Sequence, residues 1–288
     1  RRQRQMCIRD SVYPGLAVAT QLRKKGVTCY WVGTESGLEA RVIPENGFSF
    51  HPIKIKGFRR NGLRRWLVAP FYLTQSIFSA LRILHRKKPD AVLGMGGFVS
   101  APGGIAAWIY RCPLIIHEQN TIPGLANRIL AYLSSCNLEA FPNSFHSKLG
   151  ATVTGNPVRQ EIIQIGEQRL KKGTDETCNI LIFGGSRGAR ILNEIVPRAL
   201  SKIDRRKISV LHQCGVESEE AVKNEYNKLG LSSDSRICAF IDDMADAYDW
   251  ADLVIYRSGA MTLSELTTAG LVSVLVPYKY AVDEHQTK

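Results

Sequence analysis

Several features that would assign the chain to other classes of protein are missing from its 288 residues. Apolar runs of the roughly 18 residues that a membrane-spanning helix needs do not occur. The first residues lack the apolar core and the small-residue cleavage site of a secretory signal. The seven cysteines are odd in number and form no C-x-x-C pair, which argues against a disulfide framework and a zinc site. We therefore expect a globular protein of the reducing cytosol.

Acidic residues are in the minority, with 26 Asp and Glu against 38 Lys and Arg, and the formal net charge is +12. A basic surface suits nucleic acid, anionic lipid or phosphorylated substrates, and net charge alone does not choose among them. Because no helix-turn-helix, zinc-finger or RNA-binding signature accompanies the charge, we expect no nucleic-acid partner.

A basic and aromatic segment lies at residues 54–73, where six cations stand beside aromatic and aliphatic residues. Cations near an anionic membrane contribute roughly 1 kcal/mol each, so the segment predicts a membrane-binding patch. The alternative is the solvated face of a helix whose other side is core. The patch is formed by Arg60, Arg64, Arg65, Trp66, Leu67 and Phe71.

Short apolar strands alternate with helices in two sets, separated by a polar break at residues 155–177. The strands are predicted at 27–33, 90–97, 114–120, 137–141 and 151–157, and then at 179–186, 208–215, 237–243, 252–259 and 273–278. The helices are predicted at 18–25, 73–86, 102–110 and 124–133, and then at 189–203, 220–230, 244–251 and 261–270. This alternation predicts an α/β protein with two Rossmann-like, doubly wound parallel sheets facing a cleft.

We divide the chain into an N-terminal domain at residues 12–158 and a C-terminal domain at residues 159–288. Residues 1–11 show no apolar periodicity, and we interpret them as a foreign or misread segment. Ligands of such sheets bind beyond the carboxyl ends of the strands, so functional residues are sought in the loops that follow each strand.

Two motifs in the second half combine a strand end with a helix start. In residues 184–188 the sequence GGSRG follows a buried strand, and its glycines would let a phosphate approach the following helix N-terminus. The order matches neither a dinucleotide fingerprint nor a Walker A loop, and the alternative is a tight turn without a ligand. In RSGAMTLSELTTAG, Thr262 and Glu265 fit a capping box. Glu265 could instead accept hydrogen bonds from a ribose diol, as acidic residues do in dinucleotide folds.

Two further motifs lie in the first half. Residues 92–108 contain five glycines after a strand, which indicates backbone packing against a ligand or a partner domain, or else a loose loop. The next strand ends in His117, Glu118, Gln119 and Asn120. Their donors and acceptors could hold sugar hydroxyls or a diphosphate, although a lone histidine at such a position is more often structural.

Taken together, the motifs VYPGLAVA, GMGGFVSAPGG, HEQNTIPGLANR, GNPVR, GGSRGARILNE, FIDDM and RSGAMTLSELTTAG closely resemble the MurG family, glycosyltransferase family 28, in unbroken order over residues 12–288. The resemblance implies a GT-B fold that binds the donor in its C-terminal domain and contacts acceptor and membrane through its N-terminal domain. It implies a donor site formed by Asn120, Arg159, Ser186, Ile241, Ala260, Met261, Thr262, Leu263, Ser264, Glu265 and Gln286. Other polar positions of the family's cleft match His117, Glu118, Asn127, Asn193 and Arg257.

The activity implied by the resemblance is transfer of N-acetylglucosamine from UDP-N-acetylglucosamine to the muramyl 4-hydroxyl of lipid I. The product is lipid II of peptidoglycan synthesis. The reaction would invert the anomeric centre without a metal or other cofactor, and no D-x-D motif occurs in the sequence. The implied location is the cytoplasmic face of the bacterial inner membrane, as a peripheral protein on its anionic surface. The alternatives are another GT-B enzyme, such as a glycolipid glycosyltransferase or a UDP-sugar epimerase, and a non-catalytic basic module that binds lipid or RNA.

The sequence departs from the family pattern at its start. The family's first strand and its glycine-rich loop, which carries the histidine proposed as general base, are replaced by CIRDSV. Loss of a general base commonly costs about 10²–10⁴-fold in rate. We therefore assign no catalytic residue, and we expect this chain alone to be inactive and the full-length protein to be active.

Overall fold

The computed structural model describes residues 6–53, 63–169, 177–185, 189–203, 208–257 and 259–276. The chain divides into two compact units, Arg1–Pro157 and Val158–Lys288, and each is described by itself. Within the described ranges, no helix combines the length and the apolar character needed to cross a bilayer.

The strands of the N-terminal unit are all parallel and form a pair and a four-stranded sheet. The pair is β1 (Tyr30–Gly33) with β2 (Ser49–Pro52). The sheet has the order β3 (Val92–Gly94), β4 (Leu114–Glu118), β5 (Cys136–Glu139) and β6 (Thr152–Val153). Each predicted strand of this half is present, and the parallel α/β character is confirmed. Strand β2 was not predicted.

The helices of this unit are α1 (Met6–Lys24), α2 (Glu39–Glu45), α3 (Leu63–Lys87), α4 (Gly97–Ile109) and α5 (Leu125–Leu130). Helix α1 begins at Met6, ahead of the start predicted at residue 18, and includes residues 6–11; the interpretation of residues 1–11 as a foreign or misread segment stays a prediction. The core joins α3 and α4 to strand β4, and its most buried members include Ala106, Leu114 and Ile116. That packing fixes the carboxyl end of β4, where the HEQN motif begins.

The C-terminal unit is a five-stranded parallel sheet with helices on both faces. Its sheet order is β11 (Val272–Val276), β10 (Leu253–Arg257), β7 (Cys178–Phe183), β8 (Ile208–Gln213) and β9 (Ser235–Cys238). Its helices are α6 (Gln160–Arg169), α7 (Arg190–Leu200), α8 (Glu219–Lys228), α9 (Met244–Trp250) and α10 (Ala260–Thr268).

Alternate residues of strand β7 point to opposite faces of this sheet, as the period of a strand requires. Ile180 and Ile182 pack with α7 and α8, whereas Leu181 and Phe183 pack with α6, α9 and α10. Both faces are therefore covered, which is why the strands are continuous apolar runs.

Helix α6 occupies residues 160–169 of the polar break at 155–177, where no helix was predicted. The helix buries only Ile162 and Ile165 among polar neighbours, a stripe too narrow to stand out in the sequence. At Gly166 it crosses the end of α10, where any side chain would overlap the carbonyl oxygen of Thr268. This close approach brings the residues before α6 next to α10.

Candidate functional site

The carboxyl ends of β7, β8, β9 and β10 lie along one edge of the C-terminal sheet, because all four strands are parallel. The segments that follow β7, β9 and β10 carry most of the predicted donor-binding residues of this unit, and Arg159 precedes α6. In open α/β sheets this edge is where ligands bind.

Gln213 ties two of these loops together. Its side chain is buried at the end of β8, and its Nε2 donates to the carbonyl oxygens of Gly185 (3.0 Å) and Ala239 (3.1 Å). Gly185 belongs to the glycine-rich loop after β7, and Ala239 leads into the segment of Ile241. The two segments are thereby held in fixed relation. Gln213 was not predicted as a site residue, although its position as a polar residue at the end of a buried strand could have indicated such a role.

Helix α10 corrects the capping-box interpretation. The residue before the helix is Gly259, and the helix begins at Ala260. Thr262 and Glu265 therefore lie inside the helix, where they cannot cap its first turn, and the prediction that they form a capping box is wrong. Ser264 lies on the same helix and donates to the carbonyl oxygen of Ala260 at 3.0 Å.

The Glu265 carboxylate contacts two other elements of the unit. Its Oε1 accepts hydrogen bonds from Nε and Nη2 of Arg159, each at 3.3 Å. Its Oε2 accepts from the hydroxyl of Tyr248 on α9, at 3.1 Å. Arg159 and Glu265 were both predicted as donor-binding residues, and the structure brings them together. A partly exposed ion pair of this kind adds about 1 kcal/mol or less to stability, so the stability of the fold does not depend on it.

Tyr248 acts as the hydrogen-bond donor in this contact. Burial, and then the neighbouring Glu265 carboxylate, raise the pKa of the Tyr248 hydroxyl well above its ordinary value of 10.0. The phenol therefore keeps its proton at physiological pH.

In the N-terminal unit, Glu118 organises the loop after β4. Its buried carboxylate accepts from the backbone N–H and Nδ2 of Asn120 on Oε1, at 3.0 and 3.1 Å. On Oε2 it accepts from the backbone N–H of Gly124 (3.1 Å) and from Nδ2 of Asn127 (2.8 Å). The carboxylate thus fixes both ends of residues 120–124.

His117 is buried beside this loop. Its Nε2 donates to the carbonyl oxygen of Gly155 at 3.0 Å, and its Nδ1 accepts from Nε2 of Gln119 at 3.1 Å. Burial lowers the pKa of the imidazole. Inside the unit, the Nδ2 of Asn127 donates to the carbonyl oxygen of His117 and to the Glu118 carboxylate. A role for these three residues as cleft residues stays a prediction.

Asn193 belongs to a buried chain of side chains in the C-terminal unit. Its Nδ2 donates to the carbonyl oxygen of Cys214 at 3.0 Å, so its Oδ1 accepts from Nε2 of His212 at 3.2 Å. The Nδ1 of His212 then accepts from the hydroxyl of Tyr226 at 2.9 Å. Burial lowers the pKa of His212 to about 4, and the ring is held in its neutral Nε2–H form.

The low pKa of His212 predicts a loss of stability in acid. Its folded pKa is about 4, below the roughly 6.5 of an unfolded chain, so the unfolded state binds the extra proton as pH falls through this interval. His212 should remove about 3 kcal/mol of unfolding free energy between pH 7 and pH 4. Urea unfolding at several pH values measures the slope.

In a His212→Gln variant, the loss of unfolding free energy that His212 causes between pH 7 and pH 4 should disappear, whatever the stability of the variant at pH 7. A matched His85→Gln variant, which replaces an exposed histidine, should keep the wild-type slope. Equal slopes for wild type and His212→Gln would contradict the assignment.

The remaining predicted residues are placed as follows. Ile241 follows β9 half-buried and packs against the core that contains Tyr248. Arg257 ends β10 half-buried, and Ala260–Leu263 form the start of α10. Ser186, Gln286 and Arg60 lie outside the described residues, as do the side chains of Arg64, Arg65, Trp66 and Leu67. In the described part of the chain, no group of three or more His, Cys, Asp or Glu side chains is placed to hold a metal ion.

Comparison with known proteins gives matches over both halves. The profile described as "Glycosyltransferase family 28 N-terminal domain" matches residues 11–135, and "Glycosyltransferase family 28 C-terminal domain" matches residues 179–288. Two curated relatives carry the name UDP-N-acetylglucosamine--N-acetylmuramyl-(pentapeptide) pyrophosphoryl-undecaprenol N-acetylglucosamine transferase. The protein of Shewanella frigidimarina is 46% identical over 96% of this chain and 76% of its own length. That of Nitrosococcus oceani is 48% identical over 96% and 77%.

Solved structures show the same likeness. The crystal structure of Acinetobacter baumannii MurG matches with a TM-score of 0.74 and 38% identity, over 96% of this chain and 77% of that chain. A UDP-GlcNAc 2-epimerase of Neisseria meningitidis matches with a TM-score of 0.65 over 92% of this chain and 79% of that chain, but at 16% identity. That second likeness shows a common fold alone.

Proposed function

The chain belongs to glycosyltransferase family 28, among the MurG transferases, and we propose that it transfers N-acetylglucosamine from UDP-N-acetylglucosamine to the muramyl sugar of the pyrophosphoryl-undecaprenol acceptor. The observation that carries the proposal is the meeting of Arg159, Tyr248 and Glu265 at the ligand-binding edge of the C-terminal sheet. A carboxylate held at such an edge suits a ribose diol, and a cation beside it suits a diphosphate.

The donor would be bound through three neighbouring loops. Glu265 accepts hydrogen bonds from the two ribose hydroxyls. The diphosphate lies against the start of α10 and the loop of Ser186, where backbone N–H groups and the helix dipole favour negative charge. The segment of Ile241 contributes backbone groups to the uracil, and Gln213 keeps it in register with the glycine-rich loop.

Arg159 would exchange partners when the donor binds. Charge-assisted N–H···O bonds are typically about 2.7–2.9 Å long, whereas both bonds from Arg159 to Glu265 measure 3.3 Å. A guanidinium with 23% of its side chain exposed can turn to the diphosphate and leave Glu265 to the ribose.

The chemistry is a single displacement with inversion. The muramyl 4-hydroxyl oxygen bonds to the anomeric carbon, the bond from that carbon to the diphosphate oxygen breaks with its electron pair going to UDP, and the hydroxyl proton passes to solvent water. The negative charge that develops on the UDP oxygen is stabilised by Arg159 and by the start of α10, which act in place of a metal ion.

The test has two arms. Calorimetry should detect binding of UDP-N-acetylglucosamine and UDP to the purified protein, and UDP should be released from UDP-N-acetylglucosamine only when a lipid I analogue is present. A chain with no affinity for uridine diphosphate compounds would exclude the proposal. Release without acceptor, with formation of a 2-epimer, would instead favour the epimerase alternative.

The second part of the proposal is attachment to an anionic membrane surface through the N-terminal unit. The undecaprenyl chain of the acceptor lies in a bilayer, so its pyrophosphate and sugar are presented at the surface. On α3, Phe71 and Phe78 are 68% and 57% exposed, and their seven-residue spacing puts them on one face. Arg82 continues that face with its guanidinium 4.8 Å from the Phe78 ring centre. Aromatic residues with flanking cations suit the membrane interface of the cytoplasmic leaflet.

Reversing three charges of the predicted basic patch should release the protein from membranes. We expect the triple variant Arg60→Glu, Arg64→Glu, Arg65→Glu to lose at least about 100-fold in affinity for vesicles containing phosphatidylglycerol, since each cation contributes about 1 kcal/mol. Vesicle co-sedimentation measures the change. A control with Arg190→Glu, Arg198→Glu and Lys223→Glu carries the same charge change in the other unit and should stay bound. Full retention of the first variant would contradict this surface.

A further inference from the structure

Tyr248 has a hydroxyl that the hydrophobic core does not explain. The residue is 1% exposed and belongs to the apolar cluster of α6, α9, α10 and the sheet. Its ring centre lies 6.2 Å from that of Phe183. A phenylalanine would pack equally well there, and burial of a hydroxyl costs free energy unless it finds a partner. The hydroxyl donates to Oε2 of Glu265.

Tyr256 provides an internal comparison. It is fully buried in the same cluster and stacks on the same Phe183 ring, with the ring centres 5.6 Å apart. Its hydroxyl has no hydrogen-bond partner among the described residues. Two tyrosines therefore share one core, and only the hydroxyl of Tyr248 reaches a residue of the proposed donor site.

The contact fixes the rotation of the Glu265 carboxylate. Tyr248 on α9 holds one oxygen, and Arg159, which precedes α6, holds the other. A carboxylate can accept from two neighbouring hydroxyls at once only when both oxygens face the diol. If Arg159 turns to the diphosphate, the buried and rigid Tyr248 is the partner that keeps this orientation. Such preorganisation raises affinity by removing the entropic cost of ordering the side chain.

We infer that Tyr248 is a positioning residue that orients the Glu265 carboxylate for the vicinal hydroxyls of a nucleoside diphosphate sugar. The inference rests on the proposed function, because it assumes that Glu265 accepts from the ribose. Tyr248 touches neither the substrate nor the reacting atoms. Its contribution is therefore made through Glu265 and depends on the ribose hydroxyls.

The experiment compares Tyr248→Phe with Tyr256→Phe, using UDP and 2′,3′-dideoxy-UDP as ligands in calorimetry. We expect Tyr248→Phe to weaken UDP binding about five- to tenfold, as loss of one preorganising hydrogen bond does, and to leave dideoxy-UDP binding unchanged. Tyr256→Phe should change neither ligand. In a transferase assay with a lipid I analogue, Tyr248→Phe should raise KM for the donor and leave kcat near the wild-type value.

The double variant Tyr248→Phe, Glu265→Ala tests whether Tyr248 acts through Glu265. It should bind UDP no more weakly than Glu265→Ala alone. If the wild type binds UDP and dideoxy-UDP equally, the ribose assignment of the proposed function fails. If the wild type binds UDP more tightly than dideoxy-UDP, but Tyr248→Phe weakens the binding of both ligands equally or of neither, only the role of Tyr248 is overturned. Near-UV circular dichroism of both single variants checks that the core is intact. The variant Glu265→Gln keeps one oxygen that can accept from Tyr248, and its affinities for UDP and dideoxy-UDP are compared in the same way.

Discussion

Replacing Glu265 by alanine is expected to weaken binding of UDP-N-acetylglucosamine by at least about 100-fold, because the two ribose hydrogen bonds to this charged group contribute about 1.5–3 kcal/mol each. The variant removes the acceptor for the ribose hydroxyls and leaves Tyr248 and Arg159 without the carboxylate that they contact. Calorimetric titration of the purified chain with the donor measures the loss. Because the variant also leaves the buried Tyr248 hydroxyl without this acceptor, the free energy of unfolding should fall by about 1–3 kcal/mol, and the titration is made where the variant is folded.

Two controls sharpen this result. Glu194→Ala removes an exposed ion pair with Arg190 in the same unit, and donor affinity should stay at the wild-type value. Glu265→Gln keeps one acceptor oxygen and should lie between wild type and Glu265→Ala. Donor affinity that is unchanged in Glu265→Ala would remove the ribose assignment, and with it the role given to Tyr248.

The sequence was sufficient to predict the buried strands, and the reason is physical. Strands that are covered on both faces consist of continuous apolar residues, so β4, β7 and β10 stand out between polar loops. Helix α6 and strand β2 did not stand out. Helix α6 buries only Ile162 and Ile165, and β2 is four residues long, with no residue fully buried.

In the candidate site, some residues could be predicted from the sequence, but their contacts could not. Family resemblance placed Arg159 and Glu265 at the donor, but nothing in the chain indicates that residues 106 positions apart form an ion pair. The capping-box interpretation failed because the S/T-x-x-E pattern does not locate the start of a helix. Here the strand-to-helix turn at Gly259 sets that start. Gln213 was missed since its partners Gly185 and Ala239 lie 28 and 26 residues away.

The HEQN motif shows that hydrogen-bonding residues clustered in a sequence can also bond to their own loop. Four hydrogen-bonding residues at a strand end predict a ligand, yet the Glu118 carboxylate is 2% exposed and already accepts four hydrogen bonds from its own loop. Burial of a charge requires that its hydrogen bonds be satisfied, and here the loop supplies the donors. Half-buried Asn120 is thereby set in place, and a contact between Asn120 and the donor remains a prediction.

Replacing Glu118 by glutamine should therefore destabilise the N-terminal unit by about 1–3 kcal/mol for each buried donor that loses its acceptor. The new amide would put an NH₂ group against N–H donors of Asn120 or of Gly124 and Asn127, so at least one buried donor would lose its acceptor. Urea unfolding measures the loss.

Two other glutamates of the same unit calibrate that value. Glu139 ends the neighbouring strand and is also buried, but it accepts from only two described donors, the backbone N–H groups of Asn143 and Phe145. Glu139→Gln should cost less than Glu118→Gln, and Glu45→Gln, at an exposed position, should change stability by about 0.5 kcal/mol or less. If Glu118→Gln changed stability as little as Glu45→Gln, the Glu118 carboxylate would not be what holds the loop of residues 120–124.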